Sequence, residues 1–583
     1  MAKNIWIYSR KILLESAKNK ILEICKNVSP DNIIASQPKV VVNGNVAYGI
    51  MNPTNTLLVK GNSLLMGEIY GDNSNWHIPQ QNFPDGSYAL FRDGNEYCEI
   101  VSDPVASRTI WYFMNDEIFI ASTSQRAIIM FIGEFEFNEK VIPWMLSTGS
   151  LGPSYSWDKR INRVPSDSSV TLDKKNWSLS LKSNPIEFKE SKDSDEGHEQ
   201  KLRSAINSTF KSLKLNYSDW VLPLSGGYDS RAILCFLHSN NTHNTDKDLR
   251  TITWGLKSSL NEVDNDACVA QKVAKALNLP HKYHYTNLSE EPIEDLFNRF
   301  LLNGEGRIDH ISGYMDGFKI WKSLYEDGVQ GVIRGDECFG WLKNSSELDV
   351  RLLQGLLLCS DFSNLKPFTK KGLFEQEIPK HLKLREGESY GTWRDRLHQQ
   401  WRLPTVMAAL SDLKLPYVEV VNPLLSKRIL LEVRKSPDHV RTEKNLFIKI
   451  LNSISPKVAY AKKSALAKTT GILKQKQIVE LLSRELSSSI AKELFPEDFL
   501  ANVLEKINVS DSETTNKAKS FSQMALIKYF MPRHLKSLIR NGAPSFALPT
   551  IDNNVLAFRI YMVVRMNQIL KDESIINLKG VGL

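Results

Sequence analysis

The residues best suited to chemistry in this 583-residue chain lie in the run Val221–Arg231, Val-Leu-Pro-Leu-Ser-Gly-Gly-Tyr-Asp-Ser-Arg. Its two glycines carry no Cβ, so their backbone N–H groups can approach an anion closely. Ser225 and Ser230 add hydroxyl donors, and a helix beginning here directs the positive end of its dipole to the same point. Asp229 can cap that helix or hold a magnesium ion. The run predicts a phosphate-binding loop, although a tight strand-to-helix turn would use the same residue types.

A second group of candidate residues is the acidic pair Asp336-Glu337, which follows a short apolar stretch around Val332. Carboxylate oxygens are the ligands that a hard cation prefers. Taken alone, an acidic pair of this kind is more often the solvated start of a helix.

Six lysines stand in a stretch without any acidic residue: Lys457, Lys462, Lys463, Lys468, Lys474 and Lys476. A solvated helix face or loop explains most of them. Alternatively, these lysines form a positively charged surface that lies over a bound polyphosphate or an acidic peptide. Aromatic residues are not interleaved with basic ones strongly enough to indicate nucleic-acid binding.

The elements that must position these residues alternate between strand and helix in the middle of the chain. Strands are expected at Trp220–Leu224, Leu249–Trp254 and His281–Tyr285, and helices at Gln200–Leu213, Arg231–His238 and Asp266–Leu277. This alternation is typical of a doubly wound parallel sheet.

The flanking regions have different patterns. Residues 1 to about 190 are predicted to be mostly β-structure, because short runs such as Val40–Tyr48 and Tyr97–Ser102 lie between turn signals. The strongly polar stretch from Lys189 to Glu199 is predicted to be a linker. Helical periods dominate from about residue 348 onward.

The overall composition is ordinary for a globular protein, with 42% hydrophobic and 24% charged residues, which excludes a disordered, collagenous or coiled-coil chain. The formal charge of +8 is mild for this length. Six scattered cysteines without a C-x-x-C pair argue against a disulfide scaffold or a zinc ribbon and suit a reducing compartment. No signal peptide or bilayer-spanning stretch is recognisable, so a cytoplasmic protein that does not bind membranes is expected.

In its full form, Ser-Gly-Gly-x-Asp-Ser after an apolar strand resembles the pyrophosphate loop of the PP-loop ATPases, which cleave ATP between the α and β phosphates. It is not a Walker A loop, because no Gly-Lys-Ser/Thr follows. Further motifs narrow the resemblance to the asparagine synthetase-like family. They are Thr251–Gly255, Asp266–Ala274, Val332–Trp341, Tyr417–Leu425, Arg441–Lys449 and Val458–Lys463.

This resemblance implies a mixed α/β and α+β fold in three parts. Residues 1–190 would be an Ntn-hydrolase-like, β-rich domain of the glutaminase type. Residues 200–470 would be a doubly wound PP-loop synthetase domain, of the adenine nucleotide α-hydrolase-like type, and residues 471–583 a helical C-terminal extension.

The resemblance also implies a set of site residues, with ATP and Mg²⁺ as cofactors. The nucleotide would be bound by Leu224, Ser225, Gly226, Gly227, Asp229, Ser230, Thr253, Trp254 and Gly335. The metal would be held by Asp229, Asp336 and Glu337. Lys463 occupies the position whose ammonium faces the acyl-adenylate in relatives, where it stabilises the charge that develops during amide formation.

Two departures from the family pattern bear on activity. The chain begins Met1-Ala2-Lys3, so the cysteine that attacks glutamine in the glutamine-dependent members is missing. The first domain is therefore expected to lack glutaminase activity and to serve as a scaffold or as a docking surface for an accessory protein. Ile333 stands where asparagine synthetases place a glutamate that accepts a proton. Glu305, His310 and Glu419 are candidates for a replacement base.

These observations predict an ATP-dependent C–N ligase that adenylates a substrate carboxylate, releases pyrophosphate and captures the adenylate with an amine. β-Lactam synthetases and lasso-peptide cyclases also lack the cysteine, so a peptide macrolactam cyclase or a natural-product amide synthetase fits. The alternatives are an asparagine synthase, a PP-loop enzyme that modifies RNA, and a catalytically degenerate ATP-binding regulator.

Overall fold

The structure is a computed structural model that describes residues 3–53, 56–72, 74–240, 249–510 and 548–575. These residues form a mixed α/β fold with three sheets. The strands are β1 (Asn4–Ser9), β2 (Lys39–Asn43), β3 (Val46–Ile50), β4 (Leu58–Lys60), β5 (Ser63–Ile69), β6 (Gly86–Asp93), β7 (Tyr97–Ser102), β8 (Trp111–Met114), β9 (Ile118–Ser122), β10 (Asn162–Arg163), β11 (Ser168–Asp173), β12 (Ser178–Ser183), β13 (Trp220–Pro223), β14 (Arg250–Gly255), β15 (His281–Tyr285), β16 (Gly331–Ile333) and β17 (Glu419–Val421).

The helices of the described residues occur throughout the chain and dominate after residue 347. They are α1 (Glu15–Val28), α2 (Gln125–Ile132), α3 (Val141–Thr148), α4 (Asp195–Ser212), α5 (Asp229–Ser239), α6 (Asp266–Ala276), α7 (Ile293–Gly304), α8 (Lys319–Glu326), α9 (Glu347–Gln354), α10 (Lys366–Thr369), α11 (Tyr390–Leu397), a π-helix (His398–Met407), α12 (Ala408–Asp412), α13 (Lys427–Lys435), α14 (Asp438–Arg441), α15 (Asn445–Asn452), α16 (Thr469–Ile472), α17 (Lys476–Leu486), α18 (Ser489–Leu494), α19 (Glu497–Lys506) and α20 (Asn553–Ile575).

The first part of the chain is a sandwich of two antiparallel sheets, with strand orders β10-β8-β9-β1-β3-β2 and β12-β11-β7-β6-β5-β4. Successive side chains of a strand point to opposite faces, so alternate residues such as Trp6, Phe91 and Ile100 meet in a buried cluster between the sheets. The run Val40–Tyr48, expected as one strand, is instead the hairpin β2–β3. Its turn contains Gly44 at φ +60°, a conformation that glycine adopts readily.

The middle of the chain forms a five-stranded parallel sheet with the order β15-β14-β13-β16-β17. After β13 the chain moves first to β14 on one side and later to β16 on the other. The strand order therefore reverses between β13 and β16, and open α/β sheets bind ligands in the crevice at the carboxyl ends of such strands. The run Ser225–Ser230 follows β13, and Arg334–Glu337 follows β16.

The polar stretch from Lys189 to Glu199 is not a free linker. Helix α4 already begins at Asp195, because Ser194 accepts a hydrogen bond from the Gly197 N–H and two acidic residues occupy the first turn. Before the helix, the Lys189 N–H donates to the carbonyl of Arg434 at 3.1 Å. The polar composition predicted a linker without contacts, but the backbone of this segment is hydrogen-bonded to the end of α13.

Helix α20 lies in the core that the sandwich and the later helices share. It packs against α2, α3 and α17, and its Phe558 and Tyr561 both contact Phe297 of α7. Thirteen of its residues are buried, among them Leu556, Ile560 and Val563, whereas Arg559, Arg565 and Gln568 are partly exposed. The helix expected at Leu556–Leu570 is thus longer than predicted and central, whereas residues 511–547 and 576–583 of the expected extension lie outside the described residues.

No helix in the described ranges is long and apolar enough to cross a membrane. All six cysteines are free thiols, and all but Cys268 are buried.

Candidate functional site

The Ser225–Ser230 loop is organised by its own hydroxyl groups. The Ser230 Oγ accepts the Ser225 N–H at 2.9 Å and lies 3.0 Å from the Ser225 Oγ, which accepts the Gly227 N–H at 3.2 Å. Helix α5 begins directly after this turn, with Tyr228 at the N-cap position and Asp229 in the first turn. Asp229 therefore does not cap the helix, and its carboxylate is available for other partners.

Gly226 is required by close packing. A Cβ at this residue would lie 2.3 Å from the Ala461 Cβ and 3.0 Å from the Val269 Cβ. The Gly226 carbonyl accepts the Ala461 N–H at 3.0 Å, and its own N–H donates to Asp266 at 3.1 Å. The Gly226 amide is thus already used, so the anion-binding role that the sequence predicted for it is not supported, and the glycine instead admits a neighbouring segment.

That neighbouring segment, residues 458–463, is fixed by Arg231 of α5. The Arg231 guanidinium donates to the carbonyls of Val458 (2.6 Å) and Ala459 (3.1 Å) and lies 4.0 Å from the centre of the Tyr460 ring. The carbonyl of Lys463 accepts the Asp266 N–H at 3.0 Å. The backbone of Lys463 is therefore held beside the loop.

The side chain of Lys463 is less constrained than its backbone. It is 58% exposed, and its ammonium lies 3.8 Å from the Glu262 carboxylate. The structure thus brings Lys463 to the rim of the crevice without a close partner inside it.

The closest ionic contact at the loop involves Lys444, a residue to which the sequence analysis assigned no role. Its ammonium donates to both carboxylate oxygens of Asp229, at 2.9 and 3.1 Å, and lies 3.0 Å from the Glu337 carboxylate. Lys444 has φ +58° and precedes α15. In the sequence, the position of Lys444 within the Arg441–Lys449 motif was the one indication that it belongs to the site. Its contact with Asp229 could not be predicted, because the two residues are 215 positions apart.

This three-residue cluster has unusual ionisation. Burial raises the pKa of Asp229, and the neighbouring Glu337 charge raises it further, while Lys444 acts in the opposite direction. The pKa of Lys444 is raised, because its two carboxylate partners outweigh the effect of burial. The described residues contain no group of three or more His, Cys, Asp and Glu side chains placed to hold a metal ion. Asp229 and Glu337 nevertheless bind a positively charged group, the ammonium of Lys444.

The segment after β16 passes directly against the start of α5. A Cβ at Gly335 would lie 3.0 Å from the Ser230 backbone nitrogen. Beyond it, Asp336 pairs with Arg334 at 3.0 Å. The Glu337 carbonyl accepts a hydrogen bond from the His398 Nε2 at 2.7 Å. The acidic pair and the loop therefore meet at the reversal point of the sheet, as the carboxyl ends of adjacent parallel strands require.

Two further residues expected to bind the nucleotide, Thr253 and Trp254, lie on β14. The Thr253 hydroxyl donates to the carbonyl of Leu224, and the Leu224 N–H donates to the carbonyl of Ile252 at 2.8 Å. Trp254 is partly exposed, and its ring meets the edge of Trp321 at a centroid distance of 5.5 Å. Leu224 and Thr253 thus join the ends of β13 and β14 through hydrogen bonds, and the side chain of Trp254 is partly exposed to solvent.

Glu305, one of the proposed bases, binds residues of the N-terminal part of the chain. Its carboxylate accepts Lys3 at 2.9 Å, the Ser124 hydroxyl at 2.5 Å and the Gln125 N–H at 2.8 Å. Burial acts to raise its pKa, but the ion pair with Lys3 and the hydrogen bonds outweigh burial and lower it. A paired carboxylate with a lowered pKa is a poor proton acceptor, so the structure does not support Glu305 as a base.

The other two candidate bases, Glu419 and His310, each have a charged partner of their own. Glu419, fully buried on β17, pairs with Arg108 of the sandwich and accepts the Thr56 hydroxyl. His310 is half-exposed and pairs with Asp309 at 3.0 Å. The partners of Glu419 belong to the N-terminal sandwich, so this residue joins the two parts of the molecule instead of serving the loop.

No protein-family model matches the chain. No curated protein matches it. Among solved structures, it is similar to glutamine phosphoribosylpyrophosphate amidotransferase from B. subtilis complexed with ADP and GMP, at 7% identity and a TM-score of 0.20, covering 51% of this chain and 92% of that one. A structure described as the allosteric regulatory enzyme of purine biosynthesis matches at 8% identity and a TM-score of 0.21, covering 49% of this chain and 81% of that chain. Both are enzymes, but likenesses at this level assign no activity to the chain.

Proposed function

We propose that this protein is an ATP-dependent amide-forming ligase that adenylates a substrate carboxylate and transfers the acyl group to an amine. The observation that carries the proposal is the convergence of the Ser225–Ser230 loop with Asp336 and Glu337 at the reversal point of a parallel sheet. The resemblance of both segments to the PP-loop ATPases of the asparagine synthetase-like group supports the same conclusion.

In this proposal the loop and the first turn of α5 bind the phosphates of ATP. The first N–H groups of a helix have no partner within it, and their positive dipole end attracts anions. Ser225 and Ser230 shape the turn through their mutual hydrogen bond. Trp254, at the carboxyl end of β14, lies beside the adenine.

Magnesium would be held by Asp229, Asp336 and Glu337. In the structure Asp229 and Glu337 share the ammonium of Lys444 and Asp336 pairs with Arg334, so Mg²⁺ would have to displace both basic groups to bring the three carboxylates together. When bound, Mg²⁺ would neutralise the charge of the departing pyrophosphate. Without Mg²⁺, Lys444 supplies the positive charge beside these two carboxylates.

The reaction then has two steps. The substrate carboxylate attacks the α phosphorus, the bond to the β-phosphate oxygen breaks, and an acyl-adenylate forms. An amine next attacks the acyl carbon, the acyl C–O bond breaks and AMP leaves with its electron pair, and the amine nitrogen releases its proton to water. Lys463, beside the loop, stabilises the negative charge that develops on the acyl oxygen.

The N-terminal sandwich acts as a scaffold in this proposal and releases no ammonia. Lys3, which stands next to the position of the missing cysteine, is buried in an ion pair with Glu305. In this proposal the amine comes from a substrate, such as a peptide amine, as in a macrolactam-forming cyclase or a natural-product amide synthetase.

The full-length protein tests this proposal through AMP and pyrophosphate production. Purified protein with ATP, Mg²⁺ and a panel of amino acids and peptides is expected to release both products in equal amounts. The double variant Ser225→Ala/Asp229→Ala should lose at least about 100-fold in rate, because it disturbs both the loop and the cation partners. Exposed Glu386→Ala is the matched control. Full activity of the double variant, or no binding of Mg·ATP by the unmodified protein, contradicts the proposal.

A further inference from the structure

A groove of about 460 Å³ lies where the N-terminal sandwich meets helix α13. The sandwich lines it with residues from the turn before β6 and from the end of β12. The first two turns of α13 line it with Lys427, Arg428 and Leu431. Ligand sites have volumes of about 300–1,000 Å³, so the groove is large enough to be one. It contains none of the residues proposed to bind the nucleotide or the metal.

Positive charge exceeds negative charge around this groove. Three basic side chains line it, and two carboxylates are paired with them. The Lys427 ammonium lies 3.0 Å from the Asp167 carboxylate. The Arg428 Nε lies 3.7 Å from the carboxylate of Asp85. Lys182 is exposed, and no carboxylate of the described residues pairs with its ammonium. The groove therefore attracts an acidic group.

This attraction comes from side chains and not from the start of α13. The Lys427 N–H already donates to the Asp85 carboxylate at 2.7 Å, and the Ile429 N–H donates to the Ser426 hydroxyl at 3.4 Å. The N–H groups that a helix leaves without partners at its first turn are thus largely used here. A ligand of the groove must be bound by the cations that line it.

The two cations that can bind a ligand carboxylate are held in different ways. The Arg428 guanidinium is fixed, because its Nη1 donates to the Ser208 carbonyl and its Nη2 to the Tyr70 carbonyl, both at 3.3 Å. Its side chain is still 40% exposed. The Lys182 ammonium lies 5.5 Å from the centre of the Phe83 ring, a contact that leaves its charge unneutralised.

The uncharged lining of the groove suits a peptide better than a free ion. The side-chain amides of Asn82 and Asn184 form no hydrogen bond within the described ranges of the chain. A side-chain amide offers donors and an acceptor, which are the groups that pair with a peptide backbone. Phe83 and Leu431, which is 42% exposed, offer apolar surface to a side chain. An inorganic anion would use neither the amides nor this apolar surface.

We propose that the groove binds an extended peptide segment that carries a carboxylate side chain beside an apolar one. Lys182 and Arg428 pair with the carboxylate, and the two asparagine amides bind the peptide backbone. The apolar side chain packs between Phe83 and Leu431. This inference does not depend on the proposed ligase activity, because the groove shares no residue with the proposed nucleotide and metal sites.

Fluorescence anisotropy with the full-length protein provides the test. The probes are a pool of fluorescein-labelled hexapeptides built from Asp, Glu, Leu and Phe, and a matched pool in which Asn and Gln replace Asp and Glu. The variants are Lys182→Gln/Arg428→Gln, which removes both charges, and Leu431→Ser. The control is Lys11→Gln, whose side chain is 76% exposed and lies outside the groove. Thermal unfolding verifies that each variant folds.

The acidic pool is expected to bind, and the amide pool is not. The double variant should weaken binding about tenfold or more, because two charge-assisted contacts are lost. Leu431→Ser should weaken it about fivefold through the loss of apolar contact area. Lys11→Gln should retain the full affinity, and added sodium chloride should weaken binding to the unmodified protein.

The inference is overturned if the acidic pool does not bind, if the amide pool binds equally well, or if the double variant binds normally. It is also overturned if an equal concentration of inorganic phosphate, at constant ionic strength, displaces the peptides, because the groove would then be a site for small anions. A dimer of the unmodified protein that the double variant abolishes in size-exclusion chromatography would identify a second copy as the occupant and overturn it too. AMP and pyrophosphate production by the unmodified protein reports on the proposed function separately.

Discussion

At the scale of single residues, the site is held by polar contacts that fix its acidic pair. His398 is fully buried, and its Nε2–H donates to the backbone carbonyl of Glu337 at 2.7 Å. Glu337 in turn faces the ammonium of Lys444. The histidine therefore supports the backbone from which the Glu337 carboxylate projects.

This arrangement predicts a pH-dependent loss of stability. Burial lowers the pKa of His398 to about 4 from its ordinary 6.5. The unfolded chain binds a proton below pH 6.5 and the folded chain does not, so stability is complete above that pH and falls as pH decreases toward 4. Between pH 7.5 and 5 the loss attributable to this residue is about 2 kcal/mol.

Urea unfolding of the unmodified protein and of His398→Gln at both pH values measures this contribution. The glutamine variant keeps a hydrogen-bond donor without the titration, so it should lose less stability on acidification by that amount. An identical pH dependence of the two proteins would show that His398 does not titrate as the structure indicates.

At the scale of elements, the loop after β13 and the segment 458–463 depend on each other. Gly226 lies where the two chains touch, and Arg231 of α5 binds the carbonyls of Val458 and Ala459. The loop conformation is thus determined both by the hydrogen bonds within the loop and by its contacts with the segment 458–463, which is distant in the sequence.

Substitution of Gly226 by alanine should displace this segment. The new Cβ would lie 2.3 Å from the Ala461 Cβ. Overpacking of this kind costs about 1–3 kcal/mol, and the displaced segment should weaken Mg·ATP binding. Calorimetric titration with Mg·ATP and thermal unfolding provide the measurements.

Two further variants show whether contact with Ala461 is the cause. Gly313→Ala, where no atom lies within 4 Å of the added Cβ, serves as the control and should behave normally. Ala461→Gly combined with Gly226→Ala should recover part of the loss. If the double variant is as impaired as Gly226→Ala, the damage arises from the loop itself.

At the scale of the whole molecule, buried ion pairs and one hydrophobic core join the N-terminal sandwich to the rest. Lys3 pairs with Glu305, Arg108 with Glu419, and Arg126 with Glu573 at the end of α20. All six side chains are largely buried. The sandwich and the parallel-sheet region therefore share their interior, in contrast to two domains joined by a flexible linker.

The pair Arg126–Glu573 offers a test of this coupling. Arg126→Met would leave the Glu573 carboxylate buried without its partner, which costs about 3–5 kcal/mol. The double variant Arg126→Met/Glu573→Met removes both charges and should be clearly more stable than Arg126→Met alone. Thermal unfolding of the two variants measures the difference. Equal instability would mean that helix packing, and not the unpaired charge, is what the single variant disturbs.

The sequence was sufficient where local chemistry controls conformation. The strands Tyr97–Ser102 and His281–Tyr285 have the bounds that apolar runs and turn residues predicted. The alternation of strands and helices predicted the parallel sheet, and the Ser-Gly-Gly-x-Asp-Ser run predicted the turn into α5. Each of these signals is contained within about ten residues, where side-chain period and backbone preference are sufficient.

Tertiary structure decided which charged residues meet. Asp229, which the sequence left as either a helix cap or a magnesium ligand, faces Lys444, 215 residues away, and Glu305, a candidate base, pairs with Lys3, 302 residues away. The burial of α20 likewise depends on how distant elements pack. A sequence determines which residues can carry charge or apolar surface, but the partner of a buried charge is set by chain topology, because only the folded arrangement determines which groups lose their water together.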